Sequence, residues 1–162
     1  MKKIVSFILA LTTLFCVLAL SSCFSNLDNN ANTQKEEEFY NLVDETKDLL
    51  DIVADDIYSN WYDAIYKDKF NDNINLAILA AQIDNEENLA TIEENTTEIK
   101  NLYKQVKEGK LNSEAKAVMQ AYNDYYTLVV EVSGSFTSYS ASKETCKKEL
   151  ASALDDFSFE LD

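Results

Sequence analysis

The chain has 162 residues, with 29 Asp+Glu against 14 Lys+Arg, a formal net charge of −15, and neither His nor Pro. The missing His excludes Ser-His and Cys-His nucleophile pairs and His-bearing zinc sites. The acidic excess argues against nucleic acid, whose phosphates need a cationic face to displace counterions.

The chain opens with Lys2 and Lys3, followed by a charge-free apolar run over residues 4–20. This is the layout of a secretory signal peptide. At 17 residues the run sits at the lower edge of what spans ~30 Å of hydrocarbon, so a transmembrane helix competes with that reading. What closes the run decides between them. Leu20-Ser21-Ser22-Cys23 resembles a bacterial lipobox, in which small residues precede the cysteine that receives diacylglycerol. That resemblance implies that residues 1–22 are a removed lipoprotein signal peptide. It also implies that Cys23 is the lipidated first residue of the mature chain, and that the protein sits on the extracytoplasmic face of the cell membrane.

Removing Lys2 and Lys3 leaves 12 cations, all lysine, against 29 carboxylates, so the mature chain carries a net charge of about −17. An anionic bilayer surface repels such a domain, while a basic protein suits it. With Cys16 removed and Cys23 alkylated, Cys146 is left as the single thiol, which rules out an intramolecular disulfide and fits a small buried hydrophobe. Residues 23–35, rich in Asn, Asp, Ser and Thr, have too little apolar surface to offset their ordering entropy and read as a flexible polar tether. The remaining 36–162 is long enough for one domain with a real core.

With Gly only at 109 and 134, and Glu, Lys, Leu and Ala abundant, that domain is expected to be all-α. Thr33 with Glu36 matches a capping box for a first helix. Phe39, Leu42, Thr46, Leu49, Val53 and Ile57 recur at spacings of three and four along it. Asn and Asp in 69–73 favour a turn. A second helix follows over 73–107, its polar stretch 84–88 marking a bend, and its end is set by Gly109 with Asn112 or Ser113 capping the next. The third helix has a coiled-coil-like heptad seam: Ala115, Val118, Tyr122, Tyr125, Val129, Val132, Phe136 and Tyr139, continuing to Phe157 and interrupted only by Lys143. Short links predict an elongated antiparallel three-helix bundle, up-down-up. The Ser-rich stretch 133–142 either bends or breaks the third helix, and the preserved heptad phase favours a bend.

Candidate chemistry centres on "YSNWYDAIYKDKF", 58–70. Tyr58, Tyr62 and Tyr66 line one helix face beside Trp61, with Asn60 and Asp63 near and Tyr122, Tyr125 and Tyr126 offered by the third helix. Such a platform holds sugars or small cations in many proteins, although core packing is the plainer reading. Asp44, Asp48, Asp51 and Asp55 step along the first helix as a solvated acidic face, a poor geometry for Ca²⁺. No phosphate-binding Gly loop is present, and no pair of carboxylates stands out for acid/base work. The expectations are therefore no enzyme, no cofactor, no catalytic residue and no metal site. Beyond the lipobox, "NWYDAIY", "LYKQVK", "YNDYY…VSGSF" and "KKELASALDDFSFEL" resemble a family of small helical lipoproteins of low-GC Gram-positive bacteria, to which no activity or site is assigned. The resemblance implies a secreted, lipid-tethered helical domain. The expected role is a non-enzymatic interaction module of the cell envelope with a basic protein as partner. A ligand-binding lipoprotein using Trp61, Tyr62, Tyr66 and Tyr58 is the alternative. A homo-oligomer closing the heptad seam between chains remains open.

Overall fold

The computed structural model describes residues 24–161, with side chains from residue 32 onward. The basic start, the apolar run 4–20 and Cys23 lie outside the described residues. The chain divides into two units, Met1–Gln34 and Lys35–Asp162, and every contact below falls within the second. The described residues are all-α: α1 (Phe24–Tyr66), a 3-10 turn (Lys69–Asp72), α2 (Ile74–Asp84), α3 (Glu86–Val106), α4 (Asn112–Val130) and α5 (Phe136–Leu161), with no strand among them. No helix among the described residues is long and apolar enough to cross a membrane.

α1 is already helical at Phe24, so the polar stretch read as a tether is helical from that residue on, and Thr33 lies inside the helix rather than at its N-cap. The expected turn at 69–73 is built from unusual backbone: Asp68, Phe70, Asn71 and Asp72 all adopt positive φ, near 50–60°. Asn and Asp tolerate that conformation, while Phe70 is strained in it by roughly 1–2 kcal/mol. Asp63, at the end of α1, pins the turn by accepting from Lys67 at 2.7 Å and Lys69 at 2.5 Å. Asn73 then caps α2, its side chain accepting from the Leu76 N–H at 3.1 Å.

The bend expected in the second helix falls at Asn85, between α2 and α3. Its buried amide donates to Asp56 at 2.8 Å and to the Ala81 carbonyl at 3.0 Å, and accepts from Asn88 at 2.9 Å. The α3–α4 link works differently from expectation. Gly109 keeps an ordinary φ, but a Cβ there would stand 3.0 Å from the Glu36 carboxylate. Glycine is needed for close approach, not for a left-handed cap. Burial pushes the Glu36 carboxyl above its usual range, against the opposing pull of the Leu111 N–H and Lys110. Leu111, rather than Asn112 or Ser113, holds the N-cap position of α4.

The continuous third helix is the main correction. α4 stops at Val130, and α5 restarts at Phe136. Gly134 sits at φ 88°, and Ser135 and Ser138 cap each other reciprocally: the Ser138 N–H donates to Ser135 Oγ at 3.2 Å, and the Ser135 N–H to Ser138 Oγ at 2.9 Å. These side chains offer the backbone a cap in place of a helical turn. The contacts of α5 with α1 run in opposite senses along the two helices. Phe136 meets Tyr58, Lys143 meets Asp55, Lys147 meets Asp51, and Phe157 meets Phe39. Contacts of α2–α3 with α1 run the same way, from Asn60–Ala77 through Asp56–Asn85 and Thr46–Asn95 to Phe39–Tyr103.

Candidate functional site

The four aromatic residues singled out in α1 do converge, around a ring that the sequence reading placed only in the seam. Phe136, the first residue of α5, stands 5.0 Å from Tyr58, 6.0 Å from Trp61 and 6.2 Å from both Tyr62 and Tyr66. Tyr62 and Tyr66 pack on each other at 4.7 Å. The signal for Phe136 was its place directly after the Ser-Gly-Ser turn, which starts a helix opposite the end of α1.

Burial divides the four. Trp61 is 3% exposed, lies 5.5 Å from Tyr139, and its indole Nε1 is buried without a hydrogen-bond partner. It is a core residue and cannot be the face on which a ligand stacks. Tyr66 is 62% exposed and Tyr62 partly so, giving a ridge rather than a cleft. Two of the rings already carry a cation from the chain itself: Lys67 Nζ stands 5.5 Å from the centre of Tyr62, and Lys143 Nζ 4.7 Å from that of Tyr58. A small cationic ligand would have to compete with them. Asp63 is held by Lys67 and Lys69, which keep its carboxyl below the usual range, and Asn60 donates to the Ala77 carbonyl at 3.4 Å.

The tyrosines of α4 make their contacts elsewhere. Tyr122 shares a 2.5 Å hydrogen bond with Thr96, itself bonded back to the Ile92 carbonyl. Tyr125 donates to Asp51 at 2.6 Å. Tyr126 stacks on Tyr122 and lies under Lys100. Burial is the first cause that raises all three buried hydroxyls, Tyr122 to about 12 and Tyr125 and Tyr139 further still.

All four carboxylates of the expected solvated acidic face meet a lysine. Asp51 accepts from Tyr125 and from Lys147 at 2.8 Å, and Asp55 from Lys143 at 2.5 Å. Lys143, which interrupts the heptad seam, is thus buried in it as an ion-paired residue. Desolvation opposes its charge, but the Asp55 and Glu144 carboxylates outweigh that and hold its pKa above the usual lysine value. Asp44 and Asp48 flank Lys47 at 3.5 and 2.6 Å. Among the described residues no group of three or more Asp, Glu or Cys side chains is arranged to hold a metal ion. Cys146 is half-buried, and burial, with Asp124 and Glu149, pushes its thiol up, away from the reactive thiolate. Cys23 lies outside the described residues. Comparison with protein-family models, curated proteins and solved structures gives no match.

Proposed function

We propose that this chain is a lipid-anchored, extracytoplasmic, non-enzymatic interaction module of a bacterial cell envelope. In this reading residues 35–161 form an antiparallel helical bundle whose second pass is divided at Asn85. The anchor rests on the order of Lys2-Lys3, the apolar run and Leu20-Ser21-Ser22-Cys23, and on the resemblance to small Gram-positive lipoproteins. The observation that carries the interaction reading is the ridge at the end of α1. Tyr62 and Tyr66 are partly exposed on a rigid base of Phe136 and buried Trp61, the kind of aromatic surface that protein interfaces favour.

Two measurements test it. Metabolic labelling with an alkynyl fatty acid marks the wild-type chain in the membrane fraction, and Cys23→Ser abolishes the label; a label that survives the substitution overturns the anchor. A photo-reactive residue at Tyr62 in cells captures a protein partner; lipid adducts alone overturn the interaction reading. The exposed Tyr62–Tyr66 pair also suits a sugar or small cation, and a change in tyrosine and Trp61 fluorescence on titration would favour that second use.

A further inference from the structure

α2 is folded inside out by the standards of a surface helix. Its fully buried residues are small, Ala77 and Ala81, with Ile74 and Ile78 packed partly against the core, while Leu76, Leu79 and Ile83 are 45%, 50% and 62% exposed. The three lie at helical spacings of three and four and form one outward stripe. The alanines explain the inner face. They let α2 approach α1 closely enough for the Asn60 amide to reach the Ala77 carbonyl. The packing of α2 on α1 accounts for its inner face alone, and an exposed apolar stripe of this kind is normally covered.

Gln82, one helical turn on from Leu79, opens a groove between the start of α3 and the end of α4, lined also by Glu86, Leu89, Ala90, Glu93, Tyr126 and Val130, with Lys100 Nζ 6.0 Å from the centre of the Tyr126 ring. Its electrostatics are one-sided. No lysine occurs anywhere in residues 70–99 or 117–142, the two segments that supply the stripe and both groove walls. The first of these segments carries Asp72, Asp84, Glu86, Glu87, Glu93, Glu94 and Glu98; the second adds Asp124 and Glu131.

From this combination we infer that the Leu76–Leu79–Ile83 face with its groove is the docking surface for a basic amphipathic helix of a protein partner. The apolar side of that helix covers the leucines and isoleucine, and its Lys or Arg residues meet Glu86 and Glu93 of the groove wall. Charge decides against the other occupants. A second copy would bring the same acid-rich face, and a bilayer rich in anionic lipid would be repelled like any anion. The inference deepens the interaction-module reading and rests on it, adding a contact on α2 to that of the Tyr62–Tyr66 ridge.

The test uses the full chain in cells of the host, with a photo-reactive residue at Leu79 in one strain and at Tyr62 in another. Adducts are mapped by mass spectrometry to the captured segment. The expected result at Leu79 is a protein segment whose sequence places aliphatics on one helical face and Lys/Arg on the other. Capture in washed membranes falls about tenfold between low and near-molar salt, as screening of a charged interface requires. Capture also falls about tenfold in a Leu76→Asp/Ile83→Asp variant, a loss of ~1.4 kcal/mol in binding. Because both side chains are exposed, the melting temperature of that variant stays near wild type; Leu76→Gln serves as a milder second variant. Adducts at Leu79 to a second copy, to lipid, or to a neutral or acidic segment overturn the inference. Capture at Tyr62 with silence at Leu79 overturns it while leaving the interaction module standing, and silence at both positions overturns both.

Discussion

The contact between α1 and α5 and the outer face of α2 invert each other. Between α1 and α5 lie Asp51 and Asp55, which the sequence reading assigns to a solvated face, and Lys143, which it places as an interruption of the seam, with the hydroxyl of Tyr125 donating to Asp51. On α2 three large apolar side chains, Leu76, Leu79 and Ile83, stand outside. Each polar group in the first region has a partner at hydrogen-bond distance, which compensates the burial of Lys143 and of the Tyr125 hydroxyl. The apolar groups of the second have no such compensation within the described chain. The comparison teaches that in this protein charge is used to join helices, while oily surface is left outside on α2.

The largest effect expected on the first region is alkaline. Tyr122, Tyr125 and Tyr139 have folded pKa values raised above the ordinary tyrosine value of about 10, burial being the first cause. Above pH 10 the unfolded chain loses these protons while the folded chain keeps them, so stability falls as pH rises. Lys143, whose folded pKa is also raised, contributes stability below its unfolded value of 10.5 and loses it as pH climbs through the folded one. A melting temperature that is flat from neutral pH to about 9 and falls steeply above 10 is expected. A flat profile to pH 12 would mean that the tyrosine hydroxyls are not buried as described.

Next comes Phe157→Ala. Phe157 is fully buried against Phe39 at 5.7 Å and Tyr40 at 6.4 Å, and truncation should cost about 3–5 kcal/mol in urea unfolding. Gly134→Ala places a Cβ at φ 88° and 2.8 Å from Ser138 Oγ, which should cost about 1–2 kcal/mol. A neutral outcome there would restore the continuous helix. Lys143→Met keeps the packing of the seam and removes the ion pair. Because Asp55 is more than half exposed, the change should stay within about 1 kcal/mol. Smallest of all, Leu79→Ala should alter stability by less than about 0.5 kcal/mol. A large loss at Leu79 would move α2 into the same category as the seam and break the comparison.

The helices themselves were legible because hydrophobic period survives any tertiary arrangement, and so did the turn at 69–73 and the bend at Asn85. The break at 131–135 was not. Phe136, Tyr139 and Phe157 keep the heptad phase of α4, and two amphipathic helices in phase read as one. What separates them is the reciprocal cap of Ser135 and Ser138 around Gly134, a local bond competing with a helical turn. Lys143 read as a flaw in the seam because Asp55 lies 88 residues away in sequence. The aromatic group in α1 was legible from its four-residue spacing, but its division into buried Trp61 and exposed Tyr66 depended on where Phe136 arrived.

By itself, then, the sequence determined helix content, the acidic surface and the candidate aromatic residues, since these follow from composition and from periods along one chain. Only the tertiary structure decided which carboxylates are engaged, which tyrosines are free, and that α2 turns its alanines inward and its leucines out. Those outcomes depend on distances between helices far apart in sequence, and local propensity carries no information about them.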